Sequence, residues 1–139
     1  MLKSYYPISI EWGACDAAAI TFYPNYFRWF DAASWRLFEK AGFFSGSLMR
    51  EQGVYLPIVD AQARFHRPGW LGDELVLESY VSEWRERFFR VAHVARRGEQ
   101  MVLEGAELRF WGTAHPKDPR RMQALPIPAM FRRALEAGE

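Results

Sequence analysis

One carboxylate stands alone in the stretch "WGACDAAAITFYPNY", Trp12 to Tyr26: Asp16 is followed by Ala17, Ala18, Ala19 and Ile20, which offer it little polar competition. Pro24 sits where a helix can begin, because its missing N–H costs nothing at the first helical position. The first amides of such a helix carry partial positive charge. They could hold a carbonyl oxygen while the carboxylate attacks the carbonyl carbon or directs water at it. An Asp in a turn also accepts a bond from the backbone N–H two residues on. A purely structural Asp16 therefore fits the same residues.

Other chemistries lack their signatures. The chain has no G-x-S-x-G elbow, P-loop, G-x-G-x-x-G, H-E-x-x-H or C-x-x-C. His66, His93 and His115 have no metal-ligand spacing and receive no role. Cys15 has no cationic neighbour in sequence to lower its pKa, so it reads as a small buried residue and not as a nucleophile.

The elements that must position Asp16 follow from periodicity. Tyr6, Ile8, Ile10 and Trp12 alternate with Tyr5, Pro7, Ser9 and Glu11, the period of a half-buried first strand. From Pro24 a helix is expected to about Ala41, with Phe27, Phe30, Ser34, Leu37, Phe38 and Ala41 on its core stripe and Gly42 as its stop. Arg28, Arg36, Glu39 and Lys40 fall on the other side, where Trp29 reads as contact area for a partner subunit. After a loop around "FSGS" and a short helix to Gln52, strands are expected at Leu56 to Arg67, Glu74 to Trp84, Arg87 to Arg96 and Gln100 to Thr113. A proline-marked segment from His115 to Pro128 precedes a last helix, Ala129 to Ala137. One long helix before a run of antiparallel strands is an α+β plan, most simply a sheet wrapped around a central helix.

At 139 residues, half apolar and 17% aromatic, the chain reads as one domain, residues 1–139, with a sizeable core. The aromatic count exceeds what a lone domain readily buries, which points to an oligomer. A net charge of +1 gives little pull towards nucleic acid or anionic lipid. A lone cysteine, no signal-peptide pattern and no membrane-length apolar run lead to the expectation of a soluble cytoplasmic protein.

The segment "IEWGACDAAAITFYPNYFRWFDAASWRLFEKAG", with its D-x-A-x-I…YPNY…W-x-DAAS pattern, resembles the hot-dog-fold acyl-CoA thioesterases of the 4-hydroxybenzoyl-CoA thioesterase type. Weaker likeness continues through "LPIV" and "EWRERFF" to Phe110. The resemblance implies a long central helix wrapped by an antiparallel sheet, active sites at dimer interfaces and a homodimer or homotetramer. It implies Asp16 as nucleophile or general base, and the Tyr23 backbone N–H as the group that polarises the thioester carbonyl. Asp31 and Trp84 are then expected at the acyl pocket, and Arg85 and Arg87 on the CoA phosphates. Glu86 interrupts a run that is continuously basic in the resembling type. Ala17 and Ala19 stand where the family often has Pro and usually has Gly.

The activity so implied is hydrolysis of an acyl-CoA, with an aromatic, hydroxybenzoyl-like acyl group favoured. It needs no cofactor, since CoA is part of the substrate. A short- or medium-chain aliphatic acyl-CoA or acyl carrier protein thioesterase is the alternative within the class. A non-hydrolytic acyl-CoA-binding protein is the alternative outside it.

Overall fold

The structure, a computed structural model, describes residues 1–137. Strand β1 is Ser4–Ser9, helix α1 Pro24–Lys40, and a single turn α2, Ser45–Ser47, runs into a π-helical turn at Leu48–Gln52. Then come β2 (Val54–Tyr55), β3 (Ile58–Phe65), β4 (Glu74–Trp84), β5 (Phe88–Arg97), β6 (Gln100–Phe110), β7 (Gly112–Ala114), β8 (Met122–Ala124) and α3 (Ala129–Glu136). The main sheet is antiparallel in the order β1-β4-β5-β6-β3, and β2-β7-β8 form a small second sheet. Among the described residues no helix is long and apolar enough to cross a membrane.

Helix α1 forms where Pro24 presets its first turn, and it ends where Gly42 adopts φ +95° and returns its N–H to the Glu39 carbonyl at 2.9 Å. Its buried face is Tyr26, Phe30, Ala33, Ser34, Leu37 and Phe38. That stripe is centred slightly off the expected one. Phe27 falls on its flank and Ala41 lies past the last turn, both half-buried. Side chains from all five strands of the main sheet, including Ile8, Ala63, Leu77, Ala95 and Leu103, pack against the first half of this stripe, so the sheet curls around the helix. The second half meets Val81, Phe89, Val91, Trp111 and, from α3, Phe131 and Leu135.

Three local expectations change. The first strand stops at Ser9, and Trp12 turns outward, 70% exposed, in a short 3-10 turn at Trp12–Ala14. The strand expected to run to Thr113 breaks at Trp111, after which Gly112–Ala114 pairs with β2 and β8. The proline-marked segment therefore contains a strand, Met122–Ala124.

Between the two apolar clusters lies a polar seam. Ser34 of α1, Ser79 of β4, His93 of β5, and Glu107 and Arg109 of β6 are all buried, with Glu107 at 1% and Arg109 at 2% exposure. Gly105 shares their inward row, and a Cβ there would stand 2.5 Å from both the Gln62 carbonyl oxygen and the Phe30 ring. The missing side chain lets Phe30 lie flat on His93, ring centroids 4.6 Å apart.

Candidate active site

Residues 14–23 are folded by short-range bonds. Cys15 and Thr21 bridge antiparallel, Asp16 N–H donates to the Ile20 carbonyl at 2.9 Å, and Ala19 N–H donates to the Asp16 carbonyl at 3.0 Å. The result is a tight hairpin with Asp16 exposed on it. Its Oδ1 accepts the Ala18 N–H at 2.8 Å, so the turn bond foreseen for a structural Asp is present, and the carboxylate still faces solvent. Thr21 N–H donates to the Gly69 carbonyl at 2.8 Å and Leu71 N–H to the Ala19 carbonyl at 2.9 Å, which strap the hairpin to the loop before β4.

Ala19, where the family usually has Gly, takes the left-handed conformation itself, at φ +61°. An L-residue there is strained by roughly 1–2 kcal/mol, partly offset by the extra chain entropy a Gly would lose. Ala19→Gly is expected to stabilise the fold by about 0.5–1 kcal/mol. Urea titration checks this, and a lower midpoint would contradict it.

The YPNY motif fixes the helix start on this hairpin. Phe22 N–H and the Asn25 Nδ2 amide both donate to the Ala14 carbonyl at 2.9 Å, and Pro24 has no N–H to give. Tyr23 is already in helical conformation, and among the described residues its N–H has no acceptor. An open donor thus stands at the positive end of a 17-residue helix, seven residues after Asp16. A cavity of about 340 Å³ adjoins it, lined by Ile20, Thr21, Tyr23, Tyr26, Phe65 and Gly69 among others. The Tyr26 hydroxyl is buried beside Thr21 and the Gly69 backbone, in bonding geometry with neither, and burial raises its phenol pKa.

Asp31 lies two turns further along α1, with 53% of its side chain exposed. A neighbouring strand supplies its partner: Arg109 Nη2, from β6, donates to Asp31 Oδ1 at 2.7 Å. Both residues line a second cavity of about 420 Å³, walled by Trp35, Tyr55, Leu56 and Ile58 among others.

Trp84, Arg85 and Arg87 form a third group at the β4–β5 turn. Trp84 is half-buried, stacked on Phe89 at 5.6 Å and edge-on to Phe131, with the Arg132 guanidinium over its ring. It lines neither cavity. Arg85 Nε donates to Glu83 at 3.0 Å, and this bond holds the Glu83 carboxyl below its ordinary pKa. Arg87 Nη1 donates to the Ala124 carbonyl at 2.8 Å. Both arginines are otherwise exposed. A single chain therefore presents Asp16 with Tyr23, Asp31, and the arginine pair as three separate patches.

Sequence reasoning missed the seam that backs Asp31. Arg109 Nε and Nη2 reach Glu107 Oε1 at 3.3 and 3.1 Å, and Nη1 donates to the Leu56 carbonyl at 2.8 Å. Glu107 also accepts from the Ser34 hydroxyl and lies 3.3 Å from His93 Nε2, while His93 Nδ1 is 2.7 Å from Ser79 Oγ. Glu107 can only accept as a carboxylate, so Nε2 carries the proton and Nδ1 accepts from Ser79. Burial pushes His93 below its ordinary pKa, towards this neutral form. Burial works against the Glu107 charge, but the His93 hydrogen bond and the Arg109 guanidinium outweigh it and keep the carboxyl low.

Both shifts destabilise the fold in acid. Below pH 6.5, the ordinary value for His93, the unfolded chain takes up a proton that the fold resists; below 4.5, the ordinary value for Glu107, the same happens there. The melting temperature is expected to hold above pH 6.5 and to fall below it, with a shallower fall between 6.5 and 4.5 in His93→Gln. Parallel wild-type and variant profiles would contradict this.

Residues 10–135 match the sequence profile of the thioesterase-like superfamily. The chain is 35% identical over 129 residues to the 4-hydroxybenzoyl-CoA thioesterase of Pseudomonas sp. strain CBS-3, covering 88% of this chain and 89% of that one. It is 32% identical over 107 residues to the 1,4-dihydroxy-2-naphthoyl-CoA hydrolase of Prochlorococcus marinus strain MIT 9303, covering 72% and 70%. An X-ray structure of a 4-hydroxybenzoyl-CoA thioesterase mutant complexed with 4-hydroxybenzoyl-CoA superposes with a TM-score of 0.88 at 31% identity, over 97% of this chain and 99% of that one. The structure from the Pseudomonas strain gives 0.87 at 31%, over 96% and 99%. With its helix wrapped by an antiparallel sheet and its family match running from just after β1 into α3, the chain belongs to the thioesterase-like superfamily and has the hot-dog fold of the 4-hydroxybenzoyl-CoA thioesterase type.

Proposed function

We propose that this protein hydrolyses the CoA thioester of an aromatic, hydroxybenzoyl-like acyl group to the free acid and CoA. The observation that carries the mechanism is the exposed Asp16 carboxylate on a rigid hairpin, joined to a helix start whose Tyr23 N–H is open. A thioester oxygen on that N–H gains a donor aimed at the charge that develops on it. Asp16 then attacks the carbonyl carbon, expelling CoA as the thiolate and leaving a mixed anhydride that water cleaves. Alternatively it takes a proton from the water that attacks. Either route uses a carboxylate, a positioned amide and water, with no metal or redox cofactor.

The acyl-pocket role is proposed for Asp31, which lines a cavity, and for Trp84, which within one chain lines neither cavity. Arg85 and Arg87 keep N–H donors free for CoA phosphates. Because one chain keeps these groups apart, the complete site is proposed to form between two copies. The free edge of β3 supports that arrangement. It ends the main sheet, nearly all of its residues are exposed, and they include Ile58, Val59 and Phe65. An open apolar strand edge is a ready template for pairing with another chain. A dimer through it, paired into a tetramer, is the assembly proposed. A cytoplasmic location goes with a CoA-linked substrate and a lone cysteine.

Product analysis tests the reaction. Incubation with 4-hydroxybenzoyl-CoA should yield 4-hydroxybenzoate and free CoA in equal amounts. Binding of the ester without either product would leave only an acyl-CoA-binding protein.

A further inference from the structure

We propose that Arg109 is a positioning residue for the acyl pocket, fixing Asp31 from beneath so that one carboxylate oxygen faces the cavity. The inference rests on the reading of the Asp31 cavity as the acyl site. It adds a residue with no place among the family motif positions, and a buried scaffold behind it.

A charge as deeply buried as Arg109 is costly. A well-packed apolar side chain would commonly serve stability as well or better. The placement of its donors suggests what the charge does. Nε and Nη2 are locked on Glu107, Nη1 on the Leu56 carbonyl and Nη2 on Asp31 Oδ1. Because the guanidinium is planar and rigid, three such anchors fix its orientation. It therefore braces both sides of the cavity, the helix wall through Asp31 and the wall before β3 through Leu56. Among the described residues Asp31 Oδ2 accepts no hydrogen bond, so a carboxylate lining this cavity keeps one oxygen unengaged among walls formed largely by Trp35, Tyr55, Leu56, Pro57 and Ile58. An apolar ligand with one hydroxyl at its end matches such a wall.

The anchor on Glu107 is held in turn. Ser34 and His93 both bond Glu107, Ser79 bonds His93, and the Phe30 ring stacks on the imidazole. Arg109 can swing away from Asp31 only by breaking this set, so the free oxygen of Asp31 keeps its place with an empty or a filled pocket.

The test compares kcat/KM for 4-hydroxybenzoyl-CoA and benzoyl-CoA in wild type, Arg109→Lys, Asp31→Asn and the double variant. Lysine keeps the charge and loses the fork. Loss of a charge-assisted hydrogen bond corresponds to about a tenfold change or more, so the hydroxybenzoyl preference should fall about tenfold in Arg109→Lys. It should fall similarly in Asp31→Asn, and no further in the double variant. An unchanged preference in folded Arg109→Lys, or equal losses on both esters, would overturn the proposal. Should that variant not fold, Glu107→Gln takes its place: a fall in the same ratio supports the positioning role, and an unchanged ratio overturns it. A preference unchanged in Asp31→Asn would overturn the proposal and leave the hydrolytic reading intact. If wild type hydrolyses no ester, the hydrolytic reading fails and calorimetry with 4-hydroxybenzoate and benzoate decides. Tighter binding of the hydroxylated acid that is lost in Arg109→Lys supports the positioning role, and equal binding overturns it.

Discussion

Replacing Asp16 by Asn is expected to lower turnover by about three orders of magnitude or more, with KM and melting temperature close to wild type. A neutral amide neither attacks a thioester carbonyl nor takes a proton from water. The same amide has an oxygen that can accept the Ala18 N–H, so the 2.8 Å bond that shapes the hairpin survives the change. Asn therefore separates chemistry from structure at this position. Ala would not, because it removes the turn bond as well. Steady-state kinetics and a thermal melt on one preparation check both halves. Turnover within a few-fold of wild type would take Asp16 out of the mechanism.

The largest effect on stability is expected at Glu107, far from the proposed chemistry. Glu107→Leu takes from the buried Arg109 its one buried carboxylate and leaves it only the half-exposed Asp31, and breaking a buried pair in this way typically costs about 3–5 kcal/mol. At about 2–6 °C per kcal/mol for a domain of this size, the melting temperature should drop by roughly 10 °C or more. Removing both charges, in Glu107→Leu with Arg109→Met, should recover much of that loss, because well-packed apolar residues often replace a buried pair without penalty. Urea and thermal unfolding of the single and double variants check this. A double variant less stable than either single variant would show that the seam stabilises the fold beyond its charge pairing.

Much of the fold was legible because its signals are local. Pro24 and Gly42 bracket α1 in sequence and in structure, and β4 spans the Glu74 to Trp84 segment read from alternation and its flanking turn residues. β5 reads correctly too, since Phe89, Val91 and Ala95 mark its inward row. β6 misleads. Its outward row, Ala106, Leu108 and Phe110, looks more apolar than the inward Gly105, Glu107 and Arg109, so hydropathy assigns the wrong face to the core. The charges point inward because they satisfy one another and Asp31, a long-range arrangement that no spacing within β6 reveals. His93 carries no sequence signal for the same reason, since its partners come from α1, β4 and β6.

The candidate site was legible in part. Asp16 and the helix start could be placed together because the residues between them fold on themselves. Ala19 could be singled out as the position that needs an unusual backbone, but the solution, an alanine that accepts a positive φ, appears only in three dimensions. Asp31, Trp84 and the two arginines scatter over one chain because their convergence, as proposed, needs a second copy whose surface no single sequence describes.

The most direct test of the function is the ratio of kcat/KM for 4-hydroxybenzoyl-CoA to that for hexanoyl-CoA, measured by free-thiol release with the wild-type protein. Hydrolysis in an aromatic-walled pocket with one fixed carboxylate predicts a ratio well above one. A ratio at or below one, or no thiol from the aromatic ester, would contradict it.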